Sequence, residues 1–328
     1  MLCESYGPPE AVRLAELPAP PLTPGSARVR VGAAAVNFPD VLLIANEYQV
    51  KVPAPFVPGS EFAGVVTEVA ADVTGISVGD RVSGTGMFGA FAEEVVVAAR
   101  GLTPIPSGVD DRRAAAFGVA YRTAYQALRS VARIEAGQEL IVLGAGGGVG
   151  LAAVQLGVLL GASVTAVASS AGKLAAAERQ GARNVVNYKE QPLRDGLKAA
   201  VPEGAHAVLD PVGGELSEPA LRSLRRGGRF VTVGYASGVI PRIPLNLVLI
   251  KGVRLLGFQF QDVAANAPEE FRRNERELAG LLVAHPELPH ISASFPLAEA
   301  AAALRLVGDG QAIGKIVIDI SPQRGSSG

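Results

Sequence analysis

The sequence has few residues of the types that form covalent or metal sites: one cysteine, Cys3, and three histidines, His206, His285 and His290. A single cysteine cannot form an intramolecular disulfide, so the chain carries no mark of an oxidising compartment. The histidines are too scattered along the chain to indicate a shared site. We assign them no chemistry, and we expect Cys3 to be inert.

Long apolar runs and an excess of charge of either sign are also absent. No stretch approaches the roughly 20 consecutive apolar residues of a membrane span, and the first residues do not combine a basic region with an apolar run. The formal net charge is −1, whereas a nucleic-acid-binding protein typically carries an excess of positive charge. We therefore expect a cytoplasmic protein with a small-molecule ligand.

The chain of 328 residues, 48% of them apolar, is long enough for two packed domains. Residues 1–118 contain short valine-rich runs separated by glycine and proline, which predict many short strands. Further on, strands are predicted at 138–143, 163–168, 184–188, 206–210, 228–233 and 253–257, and helices at 112–133, 149–160, 171–180 and 215–225. This alternation predicts an α/β fold with a parallel sheet covered on both faces. Beyond residue 258 the rhythm breaks into a charged helix, a strand, a helix and a last strand.

A glycine-rich loop lies between the strand at 138–143 and the helix that follows it. The strand QELIVL leads into GAGGGVG, and the helix LAAVQLGVLLGA follows at once. In this context, backbone N–H groups and the helix N-terminus can bind the pyrophosphate of a dinucleotide. The candidate binding residues are Gly144, Gly147, Gly148, Val149 and Gly150. The alternative is a tight turn without a ligand.

The end of the next strand predicts which dinucleotide binds. NAD-binding proteins place an acidic residue about 20 residues after the glycines, but residues 151–177 contain no Asp or Glu. Instead, Ser169, Ser170 and Lys173 can receive a 2′-phosphate that a carboxylate would repel. Tyr188, at the end of the third strand, adds a hydroxyl on the same edge. The pattern favours NADPH; the alternative is that Lys173 only solvates the start of a helix.

Six blocks of sequence, spread over nearly the whole chain, carry a family resemblance. They are AAAVNFPDVLLIANEY, PFVPGSEFAGVV, YRTAYQAL, DPVGG, LRRGGRFVTVGYASG and GKIVIDI. Together they resemble the medium-chain dehydrogenase/reductases and, within them, the NADPH:quinone oxidoreductases. The resemblance implies a GroES-like β-barrel catalytic domain (1–118) and a Rossmann domain with a doubly wound parallel sheet for the cofactor (119–257). It also implies a C-terminal return to the catalytic domain (258–321), followed by a flexible tail (322–328).

The family divides into zinc-containing and zinc-free members, and the residue types present favour the second. A structural zinc site of the family type needs four clustered cysteines, and a catalytic site needs a cysteine, a histidine and a third ligand. Cys3 stands alone, and no histidine precedes His206. Ser60 stands where the zinc enzymes place a ligand histidine. We therefore expect no metal.

The resemblance further implies that Asn37 and Tyr48 lie beside the nicotinamide and the acceptor. Asn37 is expected to orient the acceptor oxygen or the nicotinamide, and the Tyr48 hydroxyl to stabilise negative charge that develops on that oxygen. Two simpler interpretations stay open: Tyr48 only closes a loop, and Asn37 only satisfies a turn. Asp40 is expected to support the loop.

Further cofactor contacts are implied by the resemblance alone. They are Thr123 beside the nicotinamide carboxamide, Gly234, Tyr235 and Ala236 after a strand, Phe258 and Gln259 near the nicotinamide, and Lys315 in the returning C-terminal segment.

Without a metal to polarise the substrate, the hydride acceptor must be reactive by itself. A quinone satisfies this condition because it becomes an aromatic hydroquinone when it accepts the hydride. The predicted activity is therefore NADPH-dependent quinone reduction. An enone, 2-alkenal or enoyl-CoA reductase is the alternative, and a low-turnover NADPH-binding protein is a further one. The run RLLGFQF predicts an open edge strand, and the family commonly joins such edges in a homodimer.

Overall fold

The computed structural model describes residues 1–320, which belong to two compact units: unit 1 contains Met1–Val119 and the segment from Leu282 onward, and unit 2 contains Ala120–Leu281. The strands are β1 Leu2–Cys3, β2 Val12–Arg13, β3 Ser26–Val36, β4 Glu61–Val69, β5 Arg81–Thr85, β6 Glu94–Ala98, β7 Leu102–Pro104, β8 Glu139–Leu143, β9 Ser163–Ala168, β10 Asn184–Asn187, β11 Ala205–Asp210, β12 Leu224–Thr232, β13 Arg254–Gly257, β14 Ile291–Pro296 and β15 Lys315–Asp319. The α-helices are α1 Phe38–Ile44, α2 Asp111–Ala115, α3 Ala120–Gln126, α4 Gly148–Leu159, α5 Ala171–Arg179, α6 Leu193–Ala200, α7 Ser217–Arg222, α8 Leu245–Lys251, α9 Phe260–Asn266, α10 Pro268–Ala284 and α11 Ala300–Gly308. The predicted flexible tail lies outside the described residues.

Unit 1 is built on a seven-stranded sheet in the order β14-β15-β3-β4-β5-β7, with β6 also pairing with β3. The pairs are antiparallel except for β14 with β15. The many short strands predicted for this part of the chain are present. Its core includes Val29, Val31, Phe62, Val82 and Phe91, each at most 2% exposed. The unit therefore buries a sheet face of its own.

The strand β15 lies between β14 and β3 in this sheet, although it is far from β3 in the sequence. It pairs antiparallel with β3, and Ile316 lies opposite Val36. At the other end of the strand, the carboxylate of Asp319 accepts hydrogen bonds of 2.6 and 2.7 Å from the Arg112 guanidinium. This register brings Lys315, the first residue of β15, beside Asn37, the residue that follows β3.

Unit 2 contains the predicted parallel sheet. All neighbouring strands are parallel, in the order β10-β9-β8-β11-β12-β13. The central strand β8 buries Leu140, Ile141, Val142 and Leu143 completely, because helices cover both faces of the sheet. The strand order reverses on either side of β8, and ligands of such sheets bind at the carboxyl ends of the strands at this point.

The structure differs from the expected domain organisation in one respect. The return to unit 1 occurs at Leu282 instead of residue 258, because α10 packs against the start of unit 2. The buried Asn274 amide donates hydrogen bonds to Gln126 (2.8 Å) and Ser130 (2.9 Å), and Arg122 pairs with Glu275 at 2.6 Å. Helices α1, α6, α8 and α9 were not predicted.

A search of the helices within residues 1–320 found none that is long and apolar enough to cross a membrane.

Candidate functional site

The glycine loop connects β8 to α4 at the point where the strand order of unit 2 reverses. Gly144 has a φ of +61°, which disfavours other residues, and a Cβ at Gly150 would overlap the Gly144 carbonyl oxygen. Gly147 is the N-cap of α4 and brings no side chain to the helix start. Because the first N–H groups of a helix lack intrahelical acceptors, those of Gly148 and Val149 are available to an anion.

Lys173 lies directly against this loop. A Cβ at Gly146 would overlap the side-chain carbons of Lys173, so the lysine stem crosses the loop at that glycine. Burial lowers the pKa of Lys173. Ser170 is the N-cap of α5, and its hydroxyl oxygen accepts from the Lys173 backbone N–H at 3.5 Å. Ser169, partly exposed, directly precedes it. The residues predicted to receive a 2′-phosphate thus lie together beside the loop.

Tyr188 lies at the same edge of the sheet, one residue beyond β10. Asn187 is opposite Ala168 in the pairing of β10 with β9, and the Tyr188 N–H donates to the Ala168 carbonyl oxygen at 3.3 Å. The Lys189 ammonium lies 5.7 Å from the centre of the Tyr188 ring. The edge therefore carries a second cation, which we did not predict.

A buried aspartate shapes the loop that follows β11. One Asp210 carboxylate oxygen accepts from the N–H groups of Val212 and Gly213, each at 2.8 Å, and the other accepts from Ser217 at 2.6 Å. This holds Val212 over the glycine loop, since a Cβ at Gly144 would lie 2.6 Å from its side chain. We did not single out Asp210 from the sequence; the available signal was an acidic residue that ends an apolar strand.

The predicted residues Gly234, Tyr235 and Ala236 follow β12 and lie beside this aspartate-shaped loop. The Ala236 N–H donates to the Pro211 carbonyl oxygen at 3.2 Å. A Cβ at Gly213 would lie 2.9 Å from the Tyr235 ring. The structure therefore brings this segment close to the glycine loop, and its contact with a cofactor stays a prediction.

The other predicted cofactor residues of unit 2 are Thr123, Phe258 and Gln259. The Phe258 N–H donates to the Thr232 carbonyl oxygen at 3.0 Å, which continues the sheet beyond β13, and Gln259 is the N-cap of α9. Thr123 is partly buried on α3, next to Arg122, whose guanidinium carbon lies 4.9 Å from the centre of the Phe260 ring. Their roles stay predictions.

Unit 1 contains a buried cluster of five polar side chains, Asn37, Asp40, Ser60, Glu61 and Lys315, which we call the polar cluster. Asp40 and Glu61 are fully buried, Lys315 is 2% exposed, and Asn37 and Ser60 are each 7% exposed. The sheet register assembles it, because Lys315 begins β15, Glu61 begins β4 and Asn37 follows β3.

The polar cluster is held by an ion pair with nearly complete hydrogen bonding. The Lys315 ammonium donates to the carbonyl oxygen of Val36 (3.0 Å) and to Asn37 Oδ1 (2.6 Å), and it pairs with Glu61 Oε1 (2.8 Å). The Asn37 Nδ2 group donates to Glu61 Oε1 (2.8 Å) and to Ser60 Oγ (3.2 Å). Glu61 Oε2 accepts from the Val119 N–H at 2.7 Å. A buried pair satisfied in this way rigidifies its surroundings.

Asp40 lies at the edge of the polar cluster and supports the loop, as expected. The Asn37 backbone N–H donates to its Oδ2 atom at 2.8 Å in the capping box of α1. Its Oδ1 atom is buried without a hydrogen-bond partner among the described residues. Burial raises the pKa of Asp40 to about 7, and the hydrogen bond from the Asn37 N–H and the Lys315 charge oppose this rise only in part.

Lys315 is part of the polar cluster, where the pairing of the last strand places it. The structure buries its ammonium among three oxygen acceptors of unit 1, and its expected contact with the cofactor stays a prediction. The reason for this burial is the pairing of β15 with β3, which the sequence does not reveal. Glu61 was not singled out; the signal was a lone acidic residue at the start of an apolar strand.

Tyr48 lies outside the polar cluster. It follows α1, packs partly against the core of unit 1, and its N–H donates to the Leu42 carbonyl oxygen at 3.2 Å. Its hydroxyl is not hydrogen-bonded to the polar cluster within residues 1–320. The expected contact with an acceptor oxygen stays a prediction.

No group of three or more His, Cys, Asp or Glu side chains that could hold a metal ion is found within the described part of the chain.

Two family models match the chain, one in each unit. The alcohol dehydrogenase GroES-like domain matches residues 23–107, and the zinc-binding dehydrogenase model matches residues 148–279. Together with the sheets described above, these matches confirm the predicted fold class.

Similar proteins cover nearly the whole length of the chain. Quinone oxidoreductase-like protein 2 of Rattus norvegicus is 36% identical over 307 residues, which cover 92% of this chain and 86% of that protein. Escherichia coli quinone oxidoreductase, solved as a complex with NADPH, is 26% identical with a TM-score of 0.88 over 97% of this chain and 99% of that one. A mycobacterial protein complexed with NADPH is 28% identical, with a TM-score of 0.89 and the same coverage.

Proposed function

We propose that this chain, which belongs to the medium-chain dehydrogenase/reductase superfamily and is quinone oxidoreductase-like, reduces quinones with NADPH by hydride transfer and without a metal ion. The observation that carries the proposal is the glycine loop with Lys173 lying against it. The NADPH complexes of two similar structures support the choice of cofactor.

The residues around the loop fit a dinucleotide phosphate. The close approach of Gly150 to the Gly144 carbonyl leaves no room for a side chain, so backbone donors can reach a pyrophosphate. Ser169, Ser170 and Lys173 would hold the 2′-phosphate, because hydroxyls and an ammonium complement its charge. When bound, NADPH supplies a hydride from its nicotinamide.

The polar cluster of unit 1 supports a reaction without metal. The Lys315 ammonium already lies within hydrogen-bond distance of Asn37 Oδ1 and Glu61 Oε1, and its positive charge would repel a divalent cation at these oxygens. Ser60 offers a hydroxyl, which is not among the usual protein ligands of zinc. The Lys315 ammonium thus supplies the positive charge that the buried carboxylate of Glu61 needs.

Reduction of a quinone to its hydroquinone takes up one hydride and one proton. We assign to the Tyr48 hydroxyl the hydrogen bond to the oxygen on which negative charge develops. Asn37, at the surface of the polar cluster, is assigned to orient a reacting group.

We also propose a homodimer that forms through unit 2. Strand β13 ends the sheet, and within residues 1–320 no strand pairs with its outer edge. Such an edge favours pairing with another chain. Next to it in sequence, α8 exposes Leu245 (75%), Leu249 (81%) and Ile250 (67%). Exposed apolar residues grouped in this way are typical of an interface.

Steady-state oxidation of NADPH with a panel of quinones, enones and acyl-CoA thioesters tests the function. We expect turnover with quinones and little or none with the other acceptors. Preferential turnover of enones or thioesters would favour the alternative reductase. Tight NADPH binding in a fluorescence titration, without turnover of any acceptor, would favour a low-turnover binding protein.

A further inference from the structure

Two hydrogen-bond donors meet one histidine at the edge of unit 2 where its parallel strands begin. His206 is the second residue of β11, and its Nδ1 atom accepts a hydrogen bond from the Glu139 backbone N–H at 3.0 Å. Its other ring nitrogen, Nε2, lies 2.8 Å from a terminal nitrogen of the Arg225 guanidinium. A guanidinium has no acceptor atom, so both neighbours of the imidazole are donors.

A neutral imidazole cannot accept from both neighbours. It has one N–H donor and one acceptor nitrogen, so Nδ1, which accepts from the strand backbone, leaves the hydrogen on Nε2. The Glu139 N–H is fixed because Glu139 begins β8 and pairs with β9, whereas Arg225 is exposed and its side chain can turn. The Nε2–H group and the Arg225 guanidinium therefore present two donors to the same point at the surface.

The charges around this point leave an excess of positive charge. Arg229 holds the His206 carbonyl oxygen at 3.3 Å. The charged side chains that act on His206 and on Arg229 are three arginines and two glutamates: Arg225, Arg229, Arg254, Glu135 and Glu139. Burial, followed by the charges of Arg225 and Arg229, lowers the pKa of His206, and Glu139 opposes this only in part. Protonation of His206 would add one more positive charge to the excess.

We propose that His206 and Arg225 form a binding site for a doubly charged tetrahedral oxyanion, such as a sulfate or phosphate group. The oxyanion would accept from the Nε2–H group and from the guanidinium, and this would remove the conflict between the two donors. Its two negative charges match the excess of arginines over glutamates once His206 is protonated. The proposal does not depend on the proposed function.

This oxyanion site is separate from the glycine loop, although both belong to unit 2. Strands β8 and β11 are parallel, and Ala207 lies opposite Leu140. His206 therefore lies beside the first residue of β8, whereas the glycine loop follows the last residue of β8. The two sites lie at opposite edges of the same sheet, so one anion cannot occupy both.

Binding of the oxyanion and protonation of His206 are linked. A negative charge in contact with an imidazole favours its charged form and should raise the pKa of His206 by about 1. Because such coupling is reciprocal, the oxyanion should bind about 10-fold more tightly to the protonated imidazole than to the neutral one. Its affinity should therefore fall as pH rises through the pKa of His206.

The test measures the pKa of His206 by NMR with and without sodium sulfate. Sulfate keeps both negative charges between about pH 5 and 8, where histidine titrates. The chain has three histidines, so their imidazole C–H signals can be followed separately, and His206→Gln identifies one of them. We expect sulfate to raise the pKa of His206 by about 1 relative to sodium chloride of equal ionic strength, and to change those of His285 and His290 little.

The decisive variant is Arg225→Gln, which removes one of the two donors. Without sulfate, the pKa of His206 should rise in this variant, because Arg225 lowers it in wild type, and sulfate should then shift it little further. Arg179→Gln is the matched control, since it removes another exposed arginine of unit 2 and should keep the full effect of sulfate. Lys173→Ala, which removes the cation beside the glycine loop, should also keep it.

Three results would overturn the proposal. The first is a wild-type shift in sulfate no larger than in chloride, and the second is an Arg225→Gln variant that keeps the wild-type shift. The third is a loss of the shift in Lys173→Ala, which would place the anion at the glycine loop. Sodium acetate of equal ionic strength tests the charge of the ligand, and a shift as large as that in sulfate would contradict the assignment to a doubly charged oxyanion.

Discussion

Replacing Lys173 with alanine should weaken NADPH binding and leave NADH binding nearly unchanged. The Lys173 side chain lies against Gly146 in the glycine loop, and its N–H is tied to the N-cap Ser170. A charge-assisted hydrogen bond to a phosphate contributes roughly 1.5 to 3 kcal/mol. Since each 1.4 kcal/mol is a factor of ten, the loss corresponds to about a 10- to 150-fold rise in the NADPH dissociation constant. NADH lacks the 2′-phosphate and loses nothing.

The assay is kcat/KM for each cofactor with one quinone, together with dissociation constants from fluorescence titration. Arg179→Ala at the opposite end of α5 is the matched control, because it removes a cation from the same helix and should affect neither cofactor. Equal use of NADPH and NADH by wild type, or the same loss for both cofactors in Lys173→Ala, would refute the assignment of this edge as a 2′-phosphate site.

Ser170→Asp extends the same prediction with the opposite charge. Aspartate caps a helix about as well as serine, so α5 should stay intact. Its carboxylate would repel the 2′-phosphate and accept hydrogen bonds from the ribose hydroxyls of NADH. The preference should therefore shift toward NADH.

Four further predictions concern other parts of the molecule. Burial raises the pKa of Asp40 to about 7, above its unfolded value near 4, so the folded state holds this proton more tightly than the unfolded state. The free energy of unfolding should therefore fall as pH rises from about 4 to about 7, by at most about 1.4 kcal/mol per pH unit. Asp40→Asn should remove this slope in urea unfolding, and an unchanged slope would assign it to other groups. Gly150→Ala should weaken NADPH binding by about 5-fold or more, because overpacking costs about 1–3 kcal/mol. Gly280→Ala, where a Cβ meets nothing within 4 Å, should leave NADPH binding unchanged, and equal binding by the two variants would contradict the loop assignment. The enzyme should stay fully active in a chelator, and stoichiometric zinc in elemental analysis would refute this. Light scattering should give wild type a molar mass of twice the 33.6 kDa of one chain and should give Leu249→Arg the mass of a monomer. A wild-type mass of one chain across the micromolar range would exclude the dimer.

The glycine loop and the elements on either side of it were predictable because their signals are local. The strand β8, the glycine loop and the helix α4 follow one another without interruption, so their geometry depends on short-range rules for strands, turns and helix starts. The alternation of strands and helices likewise predicted the parallel sheet, and the predicted strands in unit 2 lie within a few residues of those observed. Helix α8, with most of its apolar side chains exposed, gave no comparable signal.

The arrangement of the polar cluster was decided only by the tertiary structure. Lys315 and Asn37 are 278 residues apart in the chain, and neither strand carries a local sign of its partner. From the sequence, Lys315 was a cation near the end of the chain that could face a cofactor. The pairing that sets Ile316 opposite Val36 places the ammonium against Asn37 and Glu61. A charge inside a sheet must find its counter-charge across the strands, and strand register is a property of the folded sheet that no single segment contains.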